Sequence, residues 1–291
     1  MKLGEGFAGK VGLERKRVYI SDIRESKGFK LPKIMVEEGY VAYICQPFMA
    51  KGQLVGVLEI FNNEPLNPET EWFNYLENIA QHVAIAVDNV KLFEKLQRTQ
   101  TELLLAYEST IESWSYAMDL RDRETEGHSQ RVTKMTLRLA QELGMKEDDL
   151  IRVKWGALLH DIGKLGVPDA ILYKPDKLTD EEWILMRKHP VYAYEMLVRI
   201  EYLRPAIDIP YYHHERWDGS GYPKGLKGEE IPLSARIFAV ADTFDALSSD
   251  RPYRRAWPRK KIIEYIKEQR GKHFDPKVVD AFLKIYASDA Q

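Results

Sequence analysis

The sequence predicts an α+β N-terminal domain, a long connecting helix and an all-α helical bundle, in that order. Up to residue 65, short apolar runs alternate with turn residues, as in a small sheet. From Glu69 to Glu126 neither glycine nor proline interrupts the chain. Beyond Asp119, apolar residues recur at helical spacing and no second sheet is indicated. At 291 residues, the chain is long enough for two domains that each bury a core.

The composition indicates a folded, soluble protein, since 44% of the residues are hydrophobic and 30% are charged. The formal net charge of −2 argues against a surface that binds a nucleic-acid polymer, but it is compatible with a small anionic substrate. The single cysteine, Cys45, excludes an internal disulfide and fits a reducing compartment. Since no stretch has the pattern of a signal peptide or reaches about 18 apolar residues, we expect a cytoplasmic protein without a membrane partner.

Two strands and a hairpin are predicted in the N-terminal region. Val41–Cys45 and Leu54–Phe61 are rich in β-branched, aromatic and other apolar residues, and Lys51-Gly52 between them is typical of a tight turn. A short helix over Met35–Glu38 would end at Gly39.

Three segments of this region resemble the GAF family of small sensor domains: Gly4–Gly9, Val18–Asp22 and Gly56–Asn62. The resemblance covers only the later part of such a domain, so we expect a partial GAF-like domain, truncated at its start, over residues 1–90. It implies a sensory or regulatory role. The alternative that we favour is a regulatory or dimerising module that binds no small molecule, because the missing start would leave a ligand pocket incomplete.

A long helix is predicted to connect the two domains. Asn67-Pro68-Glu69 combines an N-cap residue, a proline in the first turn and an acidic residue at the positive end of the helix dipole. Apolar residues then recur in alternating steps of four and three, which is the pattern of a coiled-coil seam. We therefore expect residues 91–118 to form a connecting helix that makes a homodimer. Two amphipathic helices with a break near residue 97 are the alternative. The predicted seam comprises Leu76, Ala80, Val83, Val87, Val90, Leu104, Tyr107, Ile111, Trp114 and Met118.

The remaining chain, residues 119–291, is predicted to be a helical domain. Thr179 and Glu182 have the spacing of a capping box, so a helix should run from there to His189, before Pro190. Gly163 would end the helix Asp149–His160, and Ser234 would cap the helix Ala235–Ser248. Four glycines make residues 216–230 a loop. The other predicted helices are Arg131–Leu143, Asp149–His160, Ala235–Ser248, Lys260–Gln269 and Pro276–Ala287.

Histidine and carboxylate residues in this domain predict a metal centre. His160 and Asp161 lie at the end of an apolar helix, where both side chains would be costly to bury without partners. The adjacent His213 and His214 point in different directions, so they can serve neighbouring ions. Asp242 lies in an apolar helix, where a carboxylate is either a buried cap or a ligand. Mixed imidazole and carboxylate ligands suit iron, manganese, nickel or zinc, and a cluster of this size suggests more than one ion.

Most of these residues lie in two compact motifs, His160–Lys164 and His213–Pro223. The two motifs resemble those that define the HD-GYP family, a branch of the HD phosphohydrolases that hydrolyses cyclic dinucleotides, chiefly cyclic di-GMP. The resemblance extends from about Ser113 to Tyr286. It implies two or three divalent ions, iron or manganese, and hydrolysis to linear pGpG and on to GMP. Glu124 stands where some members have an extra carboxylate for a third ion. The other implied ligands are His128, His160, Asp161, His189, His213, His214 and Asp242.

The resemblance also implies roles for residues around the ligands. Asp161 would bridge two ions, which together can activate water and stabilise the charge of a phosphoryl transition state. Lys164 would contact the phosphate or the leaving oxygen, while Arg251 and Arg254 resemble phosphate-binding residues of the family. The loop residues expected to shape the substrate groove, and to contact a base or a partner protein, are Gly221, Tyr222 and Pro223.

A receptor is the main alternative from a different class: a catalytically idle domain that binds cyclic di-GMP or a partner protein. An oxygen-activating HD enzyme is a second alternative, against which the glycine-rich loop and the two arginines argue. Idle members of the family normally lose metal ligands, whereas this sequence has a candidate at all eight positions. We therefore expect an active phosphodiesterase.

Overall fold

The computed structural model describes residues 2–25, 35, 37–122, 127–250 and 255–288. The chain divides into two compact units, Met1–Leu103 and Leu104–Gln291. The first contains a sheet and the second is helical, in agreement with the predicted fold class. Among the helices in these ranges, none combines the length and the apolar content that crossing a membrane requires.

The first unit contains a three-stranded antiparallel sheet and a helix, α1 (Gly6–Glu14), that contacts its second and third strands. The strands lie in the order β1 (Val18–Ile20), β2 (Ala42–Ala50) and β3 (Gln53–Asn62). One face of the sheet and α1 enclose a small apolar core. Its buried members are Phe7, Val11, Ile20, Met35, Tyr43 and Cys45.

The turn between β2 and β3 confirms the predicted hairpin. Lys51 and Gly52 have φ angles of 49° and 75°, and a two-residue turn with two positive φ angles matches the twist of the strands that it joins. β2 continues to Ala50, beyond the predicted end at Cys45, because β3 pairs with it over its whole length.

The short helix expected over Met35–Glu38 falls partly outside the described residues, since Val36 is not among them. Met35 and Glu37 are helical, and Gly39 has a φ of 72°, as a helix-ending glycine does.

A single helix, α2 (Thr70–Asp122), continues for 53 residues. It confirms the continuous helix and excludes the alternative break near residue 97. The predicted seam is only partly exposed, however, because Leu76 and Ala80 are buried in the first unit and Ile111 and Met118 belong to a core of the second. The predicted seam residues that remain exposed include Val83, Val90, Leu104 and Trp114.

The second unit consists of helices joined by short loops. Three 3-10 helices cover Ile162–Gly166, Glu201–Ala206 and Gly228–Glu230. The α-helices that follow α2 are α3 (His128–Glu142), α4 (Glu147–Leu158), α5 (Asp169–Leu172), α6 (Asp180–Met186), α7 (His189–Leu197), α8 (Asp208–Tyr212), α9 (Leu233–Ser248), α10 (Arg259–Glu268) and α11 (Pro276–Ser288).

Two apolar clusters form the core of this unit. The larger lies among α3, α4 and the last three helices, and the rings of Phe238, Phe274 and Phe282 are fully buried in it. The smaller connects the end of α2 with α4 and α7 through Ile111 and Leu197.

Two predicted helix ends are wrong. α4 ends at Leu158 instead of His160, and α6 ends at Met186 instead of His189. Pro190 does not stop a helix but lies in the first turn of α7, where a missing N–H costs no helical hydrogen bond. His160 and His189 are therefore placed at helix ends, with the chain turning next to each.

The capping box of Thr179 and Glu182 is present as predicted and begins α6. The cap predicted at Ser234 is wrong, because α9 already starts at Leu233 and has Pro232 as its N-cap residue.

Gly163 has a packing role instead of the predicted role of a helix stop. It lies in the segment Ile162–Gly166, which packs against α7. A Cβ built on Gly163 would lie 1.8 Å from the carbonyl oxygen of His189 and 2.6 Å from the backbone nitrogen of Ala193. Because both atoms belong to a helix backbone, neither can move without shifting α7. Gly163 therefore allows the two segments to approach closely.

We expect Gly163→Ala to lower the free energy of unfolding by about 3 kcal/mol or more, at the upper end of the range for overpacking. Thermal and urea unfolding of the second unit would measure this. Leu165→Ala is the matched control, because Leu165 lies in the same segment but is 42% exposed. Similar unfolding free energies for the two variants would contradict the packing role.

Candidate metal centre

The predicted histidine ligands and Asp242 form two groups in the second unit. Within each group, the candidate ligand atoms lie within 4.8 Å of one another. Atoms that each bind one ion at about 2.1 Å lie roughly 3–4 Å apart, so each group can close on one ion with small adjustments. The first group comprises His189, His213 and His214, and the second comprises His128, His160 and Asp242. The expectation that His213 and His214 serve neighbouring ions is therefore wrong, because their ligand atoms lie in the same group.

Asp161 lies between these groups. Its Oδ2 is 3.0 Å from Nε2 of His160, in one group. Its Oδ1 is 3.4 Å from Nε2 of His189 and 3.8 Å from Nε2 of His213, in the other. One carboxylate thus presents an oxygen to each group, as a bridging ligand must.

Helix ends bring most of these side chains together. His128 and His189 begin α3 and α7, and His160 and His213 lie within two residues of the ends of α4 and α8. Asp242 differs, because it lies inside α9. Segments that are distant in sequence therefore converge at one point.

Backbone carbonyl groups orient three of the imidazoles. A carbonyl only accepts, so in each case Nδ1 carries a proton and Nε2 faces the site; in His189 and His213, Nε2 presents its lone pair. The Nε2 atoms of His189 and His213 are 3.3 Å apart, and two lone pairs at this distance repel unless a cation lies near both. The donor set therefore fits a divalent metal. The three bonds run from His160 to Ala157 (2.9 Å), from His189 to Met186 (2.8 Å) and from His213 to Ile209 (3.1 Å).

Burial keeps the first group uncharged. It lowers the pKa of His189, and it lowers the pKa values of His213 and His214 well below the usual value. Metals bind the neutral imidazole, so these residues are already in the required form.

Asp161 and His160 form a coupled pair. Burial alone would raise the pKa of Asp161, but the charges of His160 and Lys164 outweigh it and hold that pKa well below its usual value. Burial likewise opposes protonation of His160, yet Asp161 raises the pKa of His160 to about 9. A cation at this site would take the place of that proton.

Asp245 is a residue of the site that sequence reasoning missed. Its Oδ2 accepts a hydrogen bond from Nδ1 of His128 at 2.8 Å, and Nε2 of His128 lies 3.5 Å from Asp242. Burial would raise the pKa of Asp245, but the bonds from His128 and Arg131 lower it overall. The only signal in the sequence is that Asp245 follows Asp242 by three residues, on the same face of a helix.

Lys164 lies between two carboxylates. Its Nζ is 2.7 Å from Oδ2 of Asp161 and 2.9 Å from Oδ2 of Asp122. Asp122 ends α2 and was assigned no role from sequence, yet its side chain is only 4% exposed. Asp122 therefore helps to fix the ammonium group beside the ligand cluster.

The loop with Gly221, Tyr222 and Pro223 borders the site. Tyr222 stacks on the candidate ligand His214, with ring centroids 4.7 Å apart. A Cβ on Gly221 would lie 2.4–2.6 Å from backbone atoms of residues 214–216, so only glycine allows the loop to fold back this closely. Pro223 continues the loop after a cis peptide bond.

Glu215 holds this loop and does not point to the metal cluster. Its Oε1 accepts hydrogen bonds from the backbone N–H groups of Lys224 (2.7 Å) and Gly225 (3.1 Å), and its Oε2 accepts one from Leu226 (3.0 Å). The third residue of the His-His-Glu motif is therefore structural.

A cavity of about 400 Å³ opens onto the candidate ligands. Lys164 and Tyr222 line it, together with an apolar wall that contains Trp183 and Met186. Its volume is in the range of small-molecule sites. Three predicted site residues, Glu124, Arg251 and Arg254, lie outside the described residues.

We expect Asp245→Asn to weaken metal binding by about 10- to 100-fold, as is typical when the partner of a metal-bound histidine is changed. The asparagine can still accept a hydrogen bond from His128, but it lacks the negative charge that strengthens this bond. Metal titration followed by calorimetry would measure the loss. Asp148→Asn, at an exposed position of α4, is the control, and equal affinities of the two variants would exclude the orienting role of Asp245.

The chain is similar to two known families and to several named proteins. Residues 113–278 match the model of the HD domain, and residues 1–88 match that of the GAF domain. A cyclic di-GMP phosphodiesterase of Thermotoga maritima is 43% identical over 67% of this chain and 54% of its own length. The response regulator RpfG of Xanthomonas campestris pv. campestris, also named a cyclic di-GMP phosphodiesterase, is 36% identical over 82% of this chain and 64% of its own length.

A third relative, the 3'3'-cGAMP-specific phosphodiesterase 2 of Vibrio cholerae serotype O1, is 40% identical over 72% of this chain and 39% of its own length. The chain thus spans between 39% and 64% of these relatives. The HD domain match covers more than half of the chain and includes every candidate ligand described above. The chain belongs to the HD domain family, in its HD-GYP branch, and carries a GAF domain at its N-terminal end.

Proposed function

We propose that this chain is a metal-dependent phosphodiesterase that hydrolyses cyclic di-GMP to linear pGpG and on to GMP. The observation that carries the proposal is the position of Asp161 between two groups of ligands at the floor of one cavity. The relatives named above act on cyclic di-GMP or on 3'3'-cGAMP, both of which are cyclic dinucleotides.

The centre would hold two or three divalent ions, with iron or manganese as the proposed metals. His189, His213 and His214 would hold one ion, and His128, His160 and Asp242 another. Bound ions would supply Lewis acidity, both to activate water and to neutralise charge on the phosphate. Glu124 is the proposed ligand of a third ion.

The residues of the chain have separate tasks in this proposal. Asp161 fixes the spacing of the two groups by offering one oxygen to each. Lys164, held by Asp161 and Asp122, presents a positive charge to a phosphate or to the leaving oxygen. Arg251 and Arg254 are the proposed phosphate ligands at the edge of the site.

The proposed organisation of the chain is a GAF-like domain over residues 1–90, a connecting helix over 91–118 and the catalytic domain over 119–291. We place the protein in the cytoplasm, as a homodimer through the connecting helix. The GAF-like domain would regulate the catalytic domain through α2, and the loop with Tyr222 is a proposed contact for a protein partner.

We expect Asp161→Asn to reduce turnover of cyclic di-GMP by roughly 1000-fold or more, the upper end of the loss when a group that stabilises a transition state is removed. The assay uses protein loaded anaerobically with ferrous iron or manganese, with products resolved by chromatography. Asp148→Asn is again the control. Hydrolysis by Asp161→Asn at the wild-type rate would rule out the bridging role. A wild-type protein that binds metal and nucleotide without turnover would favour the receptor.

We expect Glu124→Gln to lower the metal content from close to three ions per chain to close to two, because a carboxamide is a poorer ligand for a hard cation. The product should then remain linear pGpG. Metal analysis and chromatography on the same sample would test both. If the wild-type protein binds only two ions per chain, Glu124 is not a ligand of a third ion.

A further inference from the structure

The wall of the cavity contains an exposed indole that the metal centre does not use. Trp183 lines the cavity and is 43% exposed. Its helix, α6, has no buried residue, so it contributes little to the apolar core. A large aromatic side chain that faces a cavity from a helix outside the core is suited to ligand contact.

α6 is nevertheless held in a defined position. Its first turn is closed by the capping box, in which Glu182 also forms an ion pair with Lys174 at 2.6 Å. At its other end, the carbonyl of Met186 accepts the hydrogen bond from Nδ1 of His189 at 2.8 Å. The position of Trp183 is therefore linked to a candidate metal ligand through a few residues.

Arg187 follows α6 and lies near two aromatic rings. Its Cζ is 5.7 Å from the ring centre of Trp183 and 5.5 Å from that of Tyr222. Tyr222 in turn stacks on His214. A guanidinium that packs near aromatic rings keeps the planar fork of donors with which arginine recognises paired acceptors.

We propose that Trp183 and Arg187 form the base-binding subsite of this centre, in which a purine stacks on Trp183 and presents its O6 and N7 edge to Arg187. The inference rests on the proposed function, which takes the phosphate that would bind next to the candidate ligands to belong to a nucleotide. An aromatic platform accepts any base. Guanine offers two acceptors to the fork of Arg187, whereas adenine offers one acceptor and one donor, so the subsite prefers guanine.

The test measures binding separately from turnover, on the full chain loaded with manganese. The binding probe is the bis-phosphorothioate analogue of cyclic di-GMP, which resists hydrolysis, and the turnover substrate is cyclic di-GMP. Trp183→Ala should weaken binding by roughly 5- to 150-fold, the range for loss of one stacked base. The KM should rise with little change in kcat or metal content, and Trp183→Phe should restore most of the affinity.

Ile184→Ala is the matched control, because Ile184 is the next residue of α6, is 63% exposed and does not line the cavity. Its affinity should equal that of the wild-type protein. Arg187→Ala should reduce the preference for the cyclic di-GMP analogue over the corresponding cyclic di-AMP analogue by roughly 10-fold, within the range for one bidentate contact to guanine. An unchanged preference would remove Arg187 from the subsite.

Unchanged binding by Trp183→Ala would overturn the subsite whatever the turnover. Binding that depends on Trp183, in a wild-type protein that does not hydrolyse the substrate, would support the subsite and overturn the proposed hydrolysis. A wild-type protein that neither binds the analogue nor hydrolyses the substrate would overturn both.

Discussion

The site depends on unprotonated imidazole nitrogens that face one another inside an apolar domain. Backbone carbonyls fix the protons on the outer nitrogens, burial lowers the pKa values of His213 and His214, and the Nε2 atoms of His189 and His213 lie 3.3 Å apart. Protonating one of these imidazoles would remove the repulsion between the two lone pairs, but it would place a positive charge in the interior. Asp161 supplies negative charge, and a bound cation would complete the balance. The cluster therefore fits a divalent metal.

Because these imidazole nitrogens must converge on one point, the backbone segments that carry them have to pack closely. Most of the candidate ligands lie at helix ends, and such ends approach one another only where no side chain intervenes. Gly163 lets its segment pass against the backbone of α7 beside His189, and Gly221 lets the loop fold back on the backbone of residues 214–216, next to the candidate ligand His214. On the inner side, the Phe238 ring lies 4.8 Å from that of His160, so the apolar core limits movement of the imidazole. Packing and coordination thus stabilise the same arrangement.

Much of the fold could be predicted from the sequence, because its signals are local. The Lys51-Gly52 turn, the glycine- and proline-free α2 and the capping box at Thr179 each depend on neighbouring residues. The candidate ligands could also be named from the sequence, because their motifs are compact. Their partners could not: Asp245 contacts His128 across 117 positions, and its spacing of three residues from Asp242 shows a shared helix face without indicating His128. The length of the coiled-coil seam on α2 was overestimated because long-range contacts leave no local signal. Periodicity alone does not show that Ile111 and Met118 pack inside a core of the second unit.

The wall of the cavity links recognition to the metal centre. α6 carries Trp183 and ends at the carbonyl that orients His189, while the loop carries Tyr222 against His214. Arg187 lies near both rings. A base bound between these elements would contact the same two segments that position ligands of the first group. Binding energy from the base, which takes no part in the chemistry, would then place the phosphate beside those residues, and a contact that is equally strong in the ground state and the transition state lowers KM with little change in kcat. A phosphodiester that has no base would lack this binding energy.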